Sequence, residues 1–268
     1  MPANVEVTEL ASGLRVASEL RPDVNGVAFG AWIRVGSRDE DVGDAGVSHL
    51  LEHLLYRGTD RHDALSIAEA FDRFGSDLAA STSREETDLS ARVLREHLRE
   101  AVDIAGSMVA VPQFNDIEPE REVVLEELAL YEDTPDDLVH DVLGETLFPD
   151  QALGRPIAGT AASVAALDEP MIRAHHGRHY TGDQVVVAVV GPVEHAEVVD
   201  IVGTGFDGLG RGVVHDRRDA REARGATAFV ERDTEQTHIA VGGIGISRKD
   251  ERRFALAVAD QIIGGGAA

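Results

Sequence analysis

Near residue 50 the chain reads SHLLEHLLYRGT, which places two imidazoles, His49 and His53, around the carboxylate of Glu52. On an α-helix, residues four apart lie about 40° from eclipsed, so His49 and His53 project from one face on successive turns. Glu52, three residues after His49, falls on the same side. Two imidazoles so spaced can share one cation, and a carboxylate beside water bound to that cation can act as a general base. Zinc is the ion such a pair suits. Two ordinary helix histidines would produce the same short pattern, and the trio alone does not separate the readings. Catalytic zinc takes three protein ligands plus water, so a further His or carboxylate from elsewhere must decide.

Composition narrows the choice. The 268 residues include no cysteine, which excludes disulfides and thiolate metal sites and leaves His and carboxylate as ligands. The formal charge is −24, with Lys249 the one lysine, and such acidity argues against a duplex nucleic-acid partner, whose phosphates need a basic face. The acidity suits cationic partners, although a composition bias of a GC-rich or salt-adapted organism explains it more simply. Apolar residues make up 43%, enough for a substantial core. No apolar run reaches the roughly 18 to 20 residues that cross a bilayer, and MPANVEVTEL lacks the pattern of a secretory signal. A cytoplasmic location without a membrane partner is therefore expected.

Positioning the trio requires an ordered frame. VEVTELASGLRVASEL and GVAFGAWIRVGS alternate around turn residues and predict strands, the first pair a hairpin. AGVSHLLEHLLYRGT is helical, with Ser48 or Asp44 available near its start and Gly58 near its end. DALSIAEAFDRFGS predicts a second helix that buries Leu65, Ala68, Phe71 and Phe74 and stops at Gly75. DLAASTSREETDLSARVL returns to strand alternation, and EHLREAVDIAGSMVAVP is a helix ended by Pro112. The longest helical stretch begins at IEPEREVVLEELALYEDTPDD, with Pro119 in its first turn and Pro135 as an interruption. AASVAAL, EPMIRAHHGRHY and EHAEVVDIVGTGF predict helices, and QVVVAVVG a strand. Strands separated by turns or single helices predict the α+β class, a mostly antiparallel sheet with helices packed against it.

The Gly-rich, charged segment 206–225 predicts a linker. Residues 1–205 are then one domain. Residues 226–268 resume alternation and a helix in an order that echoes the beginning of the chain, and predict the truncated start of a second homologous domain.

The motifs carry a resemblance. GVSHLLEHLLYRGT followed by PEREVVLEELALYEDTPDD resembles the pitrilysin and mitochondrial-processing-peptidase family of zinc metallopeptidases, whose H-x-x-E-H helix inverts the commoner zinc-protease motif. GSRDE, SIAEAFDRFGSDLAAST, LGRPIAGT and RHYTGDQVVVAVVG stand where that family places comparable stretches, so the likeness covers nearly the whole chain. It implies a zinc-dependent endopeptidase acting on peptides or unfolded segments. It also implies that the third ligand is a glutamate seven residues after a supporting one. Glu127 fits the ligand and Glu120 the supporting residue that orients a ligand beside the catalytic centre. Seven residues are about two helical turns, so these two share a face. Glu126 is the alternative ligand if the register is off by one, and Glu122 points elsewhere. Under this reading His49, His53 and Glu127 hold Zn²⁺ and Glu52 is the base.

Two departures qualify the resemblance. The family's Asn-Ala-x-Thr strand, which holds extended substrate by strand addition, corresponds to Ala79, Ala80, Ser81 and Thr82, so Ala79 replaces the asparagine and removes its amide. The family also builds a second half that supplies an Arg and a Tyr near the zinc, and neither can be identified before the chain stops at GGGAA. A fragment of a longer protein is expected, or a chain that needs a partner. The resemblance implies a homodimer or a heterodimer with a related subunit. The alternative function is a non-catalytic or partner-dependent subunit of such a complex.

Other signals carry less. His175 and His179 have i, i+4 spacing, but no carboxylate can be placed beside them. GGIGI and GGG lack the Gly-Lys-Ser/Thr of a phosphate loop, and YEDTPDD lacks the spacing and glycine of a calcium loop. Trp32 and the phenylalanines read as core.

Overall fold

Alternation at the start of the chain becomes strands β1 (Val5–Glu9) and β2 (Arg15–Leu20), an antiparallel hairpin turned at Gly13. The computed structural model describes residues 4–265 except 215, 218, 219 and 222–224. β3 (Gly26–Ile33), β4 (Ala79–Thr82), β5 (Thr87–Leu94) and β6 (Val185–Gly191) complete one six-stranded sheet of order β1-β2-β6-β3-β5-β4. The β2–β6 pair is parallel and the rest are antiparallel. β6 enters the middle of the sheet, which explains why QVVVAVVG is nearly continuous in apolar residues. The α+β class and the mostly antiparallel sheet stand.

One face of the sheet carries the core. Val16, Val27, Phe29, Ala31, Ile33, Leu89, Val185 and Val187 point to it from alternate positions along their strands. Helix α1 (Val47–Leu55) adds Leu50, Leu51, Leu54 and Leu55, all fully buried. Each such leucine stabilises the fold by roughly 1.5–3 kcal/mol. Helices α2 (Ala64–Phe74), α3 (Leu98–Ala110), α4 (Ile117–Glu132), α5 (Pro135–Leu147), α6 (Ala161–Ala166), α7 (Glu169–His179) and α8 (His195–Gly205) follow. α1 packs against α4, α7 and β4, and α3 packs against α8. Pro135 opens α5 at a position where its missing N–H costs nothing, so the interruption in the long helical stretch lies where it was expected.

The structure corrects four local expectations. α1 is not capped by Ser48 or Asp44; the carboxylate of buried Glu40 accepts from the N–H groups of Gly46 (2.8 Å) and Ser48 (2.9 Å). Gly46 precedes the helix at φ 93°, where a Cβ would meet the Ala158 carbonyl oxygen at 2.5 Å. α2 buries Ile67, Ala70, Phe71 and Phe74 while Leu65 and Ala68 are exposed, a rotation of the helical stripe that leaves Phe71 and Phe74 in place. Trp32 is not core. It lies on the opposite sheet face at 37% exposure, with its ring over Gly30, where a Cβ would meet it at 2.6 Å. Nor are all the phenylalanines buried, since Phe229 and Phe254 are exposed.

Residues 226–246 form no strand, and Phe229, Ile239 and Val241 are 83%, 81% and 91% exposed. Alternation produces a strand only where an edge is offered to it, and neither β1 nor β4 pairs with this segment. Helix α9 (Arg253–Asp260) forms as expected and presents Phe254, Leu256 and Val258 to solvent. The expected linker, 206–225, includes residues 215, 218, 219 and 222–224, and the GGGAA end includes 266–268; these lie outside the described residues. Within the linker, Arg217 grips Asp39 through two hydrogen bonds of 2.9 and 2.6 Å.

Candidate metal centre

The apolar side of α1 is consumed by the core, which turns its polar side toward α4. There His49 and His53 stand on successive turns with ring centroids 4.8 Å apart and planes near perpendicular. Glu127, two turns along α4, brings Oε2 to 3.8 Å from His49 Nε2 and 3.7 Å from His53 Nε2. Among the described residues these three form a group whose ligand atoms all lie within 4.8 Å of one another. Two imidazoles and a carboxylate brought this near one another are a donor set that zinc takes. Exposed Glu122 and Glu126 are outside that group, so the alternative ligand is not the one brought to the histidines.

Protonation favours ligation. Burial, with His53 adding a smaller repulsion, lowers the His49 imidazole to about 4, which keeps it neutral at physiological pH and its lone pair available. Its Nδ1 is buried without a hydrogen-bond partner among the described residues. His53 is held from behind. Its Nδ1 lies 3.2 Å from Oε2 of Glu120, a carboxylate only 3% exposed in the first turn of α4. Arg57 pairs with the other oxygen of Glu120 and neutralises it. A carboxylate behind a ligating histidine fixes the ring and its tautomer. The sequence analysis missed Arg57, although its place four residues after His53 put it on the same helix face.

Glu52 projects toward β4. Its Oε2 accepts a 2.6 Å hydrogen bond from the Thr82 hydroxyl. Burial raises the Glu52 carboxyl above the usual range, and the Thr82 bond works against that rise. β4 is the sheet edge, paired only with β5 among the described residues. Along it Ala79 and Ser81 are exposed, Ala80 is half-buried, and Ser81 donates to Asp88 at 2.6 Å. Of the four residues expected to meet substrate, Ser81 and Thr82 thus direct their hydroxyls to the protein's own carboxylates, Asp88 and Glu52, and the outer backbone edge has no strand partner among the described residues.

The histidines of α7 have other partners. His175 is buried with Nε2 at 3.2 Å from Ser48 Oγ, and its ring lies 4.7 Å from that of His179. His176 reaches the Val109 carbonyl at 2.9 Å. Through these contacts α7 meets α1 at Ser48 and α3 at Val109.

Comparison with known proteins finds relatives of this chain. The model of the insulinase family (peptidase family M16) matches residues 15–161, and that of the peptidase M16 inactive domain matches residues 166–268. A protein named an uncharacterized zinc protease from Streptomyces coelicolor is 40% identical over 275 residues, covering 98% of this chain and 59% of its own length. A similarly named Bacillus subtilis protein is 35% identical, covering 95% and 62%. The chain spans about three fifths of the length of these relatives. Among solved structures, a protease from Helicobacter pylori superposes with a TM-score of 0.76 at 23% identity, over 82% of this chain and 54% of that one. A peptidase M16 inactive domain from Pseudomonas fluorescens superposes at 0.86 with 20% identity, over 98% and 65%. At those identities the two structures speak for the fold alone.

Proposed function

Because this chain belongs to the insulinase family of peptidases, family M16, we propose that it carries the metal centre of a zinc endopeptidase that hydrolyses peptides or unfolded segments. The observation that supports the reading most is the convergence of His49, His53 and Glu127, from two helices far apart in sequence, on a space the size of one ion. The donor set fits zinc, being two imidazoles and one carboxylate.

Zinc held there supplies Lewis acidity, lowering the pKa of water toward about 7 and polarising a peptide carbonyl. Glu52 takes the proton of the attacking water and returns it to the departing amine. A carboxyl raised by burial suits both roles, since it accepts a proton readily and still gives it up. Glu120 keeps His53 in its ligating orientation, and Arg57 holds the other oxygen of Glu120. The outer edge of β4, from Ala79 to Thr82, holds the extended peptide by backbone pairing, and Ala79 contributes no side-chain amide. The protein acts as a homodimer or with a related subunit.

A second reading has its own support. Residues 166–268 match a model described as an inactive domain, and Ala79 departs from the expected asparagine. A non-catalytic or partner-dependent subunit would keep the fold and the metal without turnover. Metal analysis together with peptide cleavage separates the two: zinc with turnover supports the peptidase, and zinc without turnover, alone or beside a related subunit, supports the second.

A further inference from the structure

The base and the expected substrate strand meet at one hydrogen bond. Thr82 is the last residue of β4 and pairs across the sheet with Thr87, which turns its side chain to the inner face, toward α1. There its hydroxyl donates to Glu52 at 2.6 Å. β4 has four residues and one strand neighbour among the described residues, and two of its four positions are exposed. A four-residue strand with one strand neighbour has few backbone hydrogen bonds to hold it, so a second neighbour adds proportionately much.

We propose that Thr82 is a positioning residue for Glu52, and that a peptide paired along β4 raises the turnover rate by steadying that strand. The inference rests on the peptidase reading above. An extended peptide on the outer edge gives β4 a second neighbour and restricts its motion. The Thr82 hydroxyl transmits the restriction to the carboxylate, which then stays aimed at the water. Binding energy from peptide residues remote from the cleaved bond is thereby realised in kcat as well as in KM. The reading selects peptides long enough to reach along Ala79–Thr82 and works through backbone pairing, so it places little demand on side-chain identity.

The test compares zinc-loaded wild type with Thr82→Val and Thr82→Ser, on peptides that span only the cleaved bond and on peptides that also reach along β4. Thr82→Val is expected to keep its zinc and to lose kcat by about 10- to 100-fold, since a small misplacement of a reacting group costs that much, with KM changed by less than about threefold. Thr82→Ser restores most of the rate, and the kcat advantage of long over short peptides disappears in Thr82→Val. A raised KM with unchanged kcat overturns the proposal, because Thr82 then only contacts peptide. So does a serine variant as slow as the valine one. If the wild-type protein cleaves nothing, the peptidase reading is what fails. The proposal is then decided by the crystal structure of zinc-loaded Thr82→Val: a reoriented Glu52 carboxylate supports it, and an unmoved one overturns it.

Discussion

Nδ1 of His53 lies 3.2 Å from Oε2 of Glu120, so a buried carboxylate on α4 sets the orientation of an imidazole on α1. Arg57 closes the set from the turn that follows α1. Two helices are thereby tied together beside the metal-facing pair. Glu120→Gln keeps the shape and removes the charge. It is expected to weaken zinc binding about 10- to 100-fold, measured by competition with a chromophoric chelator. Unchanged affinity would show that Glu120 does not support the site.

Glu127 joins His49 and His53 in the candidate cation group. Purified wild-type protein is expected to contain near-stoichiometric zinc, and Glu127→Ala to lose most of it. Metal analysis by mass spectrometry reads both. Full zinc retention in that variant would move the ligand role to another residue.

Glu52 faces the same space and accepts its hydrogen bond from Thr82. Glu52→Gln preserves shape and removes the base. The variant is expected to keep its zinc while peptide cleavage falls by at least about 100-fold. Turnover at the wild-type rate ends the assignment of Glu52 as base.

His175 predicts a stability that depends on pH. Burial, reinforced by His179, His176 and Arg178, lowers its imidazole to about 3, against about 6.5 in an unfolded chain. The folded state keeps it neutral while the unfolded state takes up a proton below about 6.5. Stability is therefore complete above that pH and is lost as pH falls toward about 3. Between about pH 7 and pH 5 this one group costs about 2 kcal/mol. His175→Gln can still bond Ser48 but cannot titrate. Urea unfolding at constant zinc saturation should show its stability falling about 2 kcal/mol less than that of wild type over this interval. Equal losses in the two proteins would contradict a buried neutral His175.

Much of the candidate site was legible without coordinates because it is local. His49, Glu52 and His53 lie within five consecutive residues, and helical periodicity alone puts them on one side. Glu127 and Glu120 could be placed only by resemblance. Periodicity says that they share a face of α4, but not that this face meets α1. The edge strand was legible as alternation in LAAST, whereas the direction of Thr82 was not, since pairing register decides which residues face inward. Arg57 was overlooked because its partner, Glu120, lies on another helix.

The difference between Trp32 and Leu54 shows the same division. Both are large and apolar, and Trp32 was expected inside. Leu54 is fully buried because its helix face meets the sheet, while Trp32 stands at 37% exposure because it occupies the other side of β3. The cap of α1 is another case, since no local residue provides it and Glu40 reaches it from a separate turn.

Local pattern determined the helices, the strands and the His-x-x-Glu-His face, because each depends on residues a few positions apart and on the period of one element. Tertiary structure alone decided which carboxylate meets the two imidazoles, which hydroxyl holds Glu52 and which sheet face is covered. Those contacts join segments brought together only by packing, and one-dimensional spacing carries no information about the relative orientation of two packed elements.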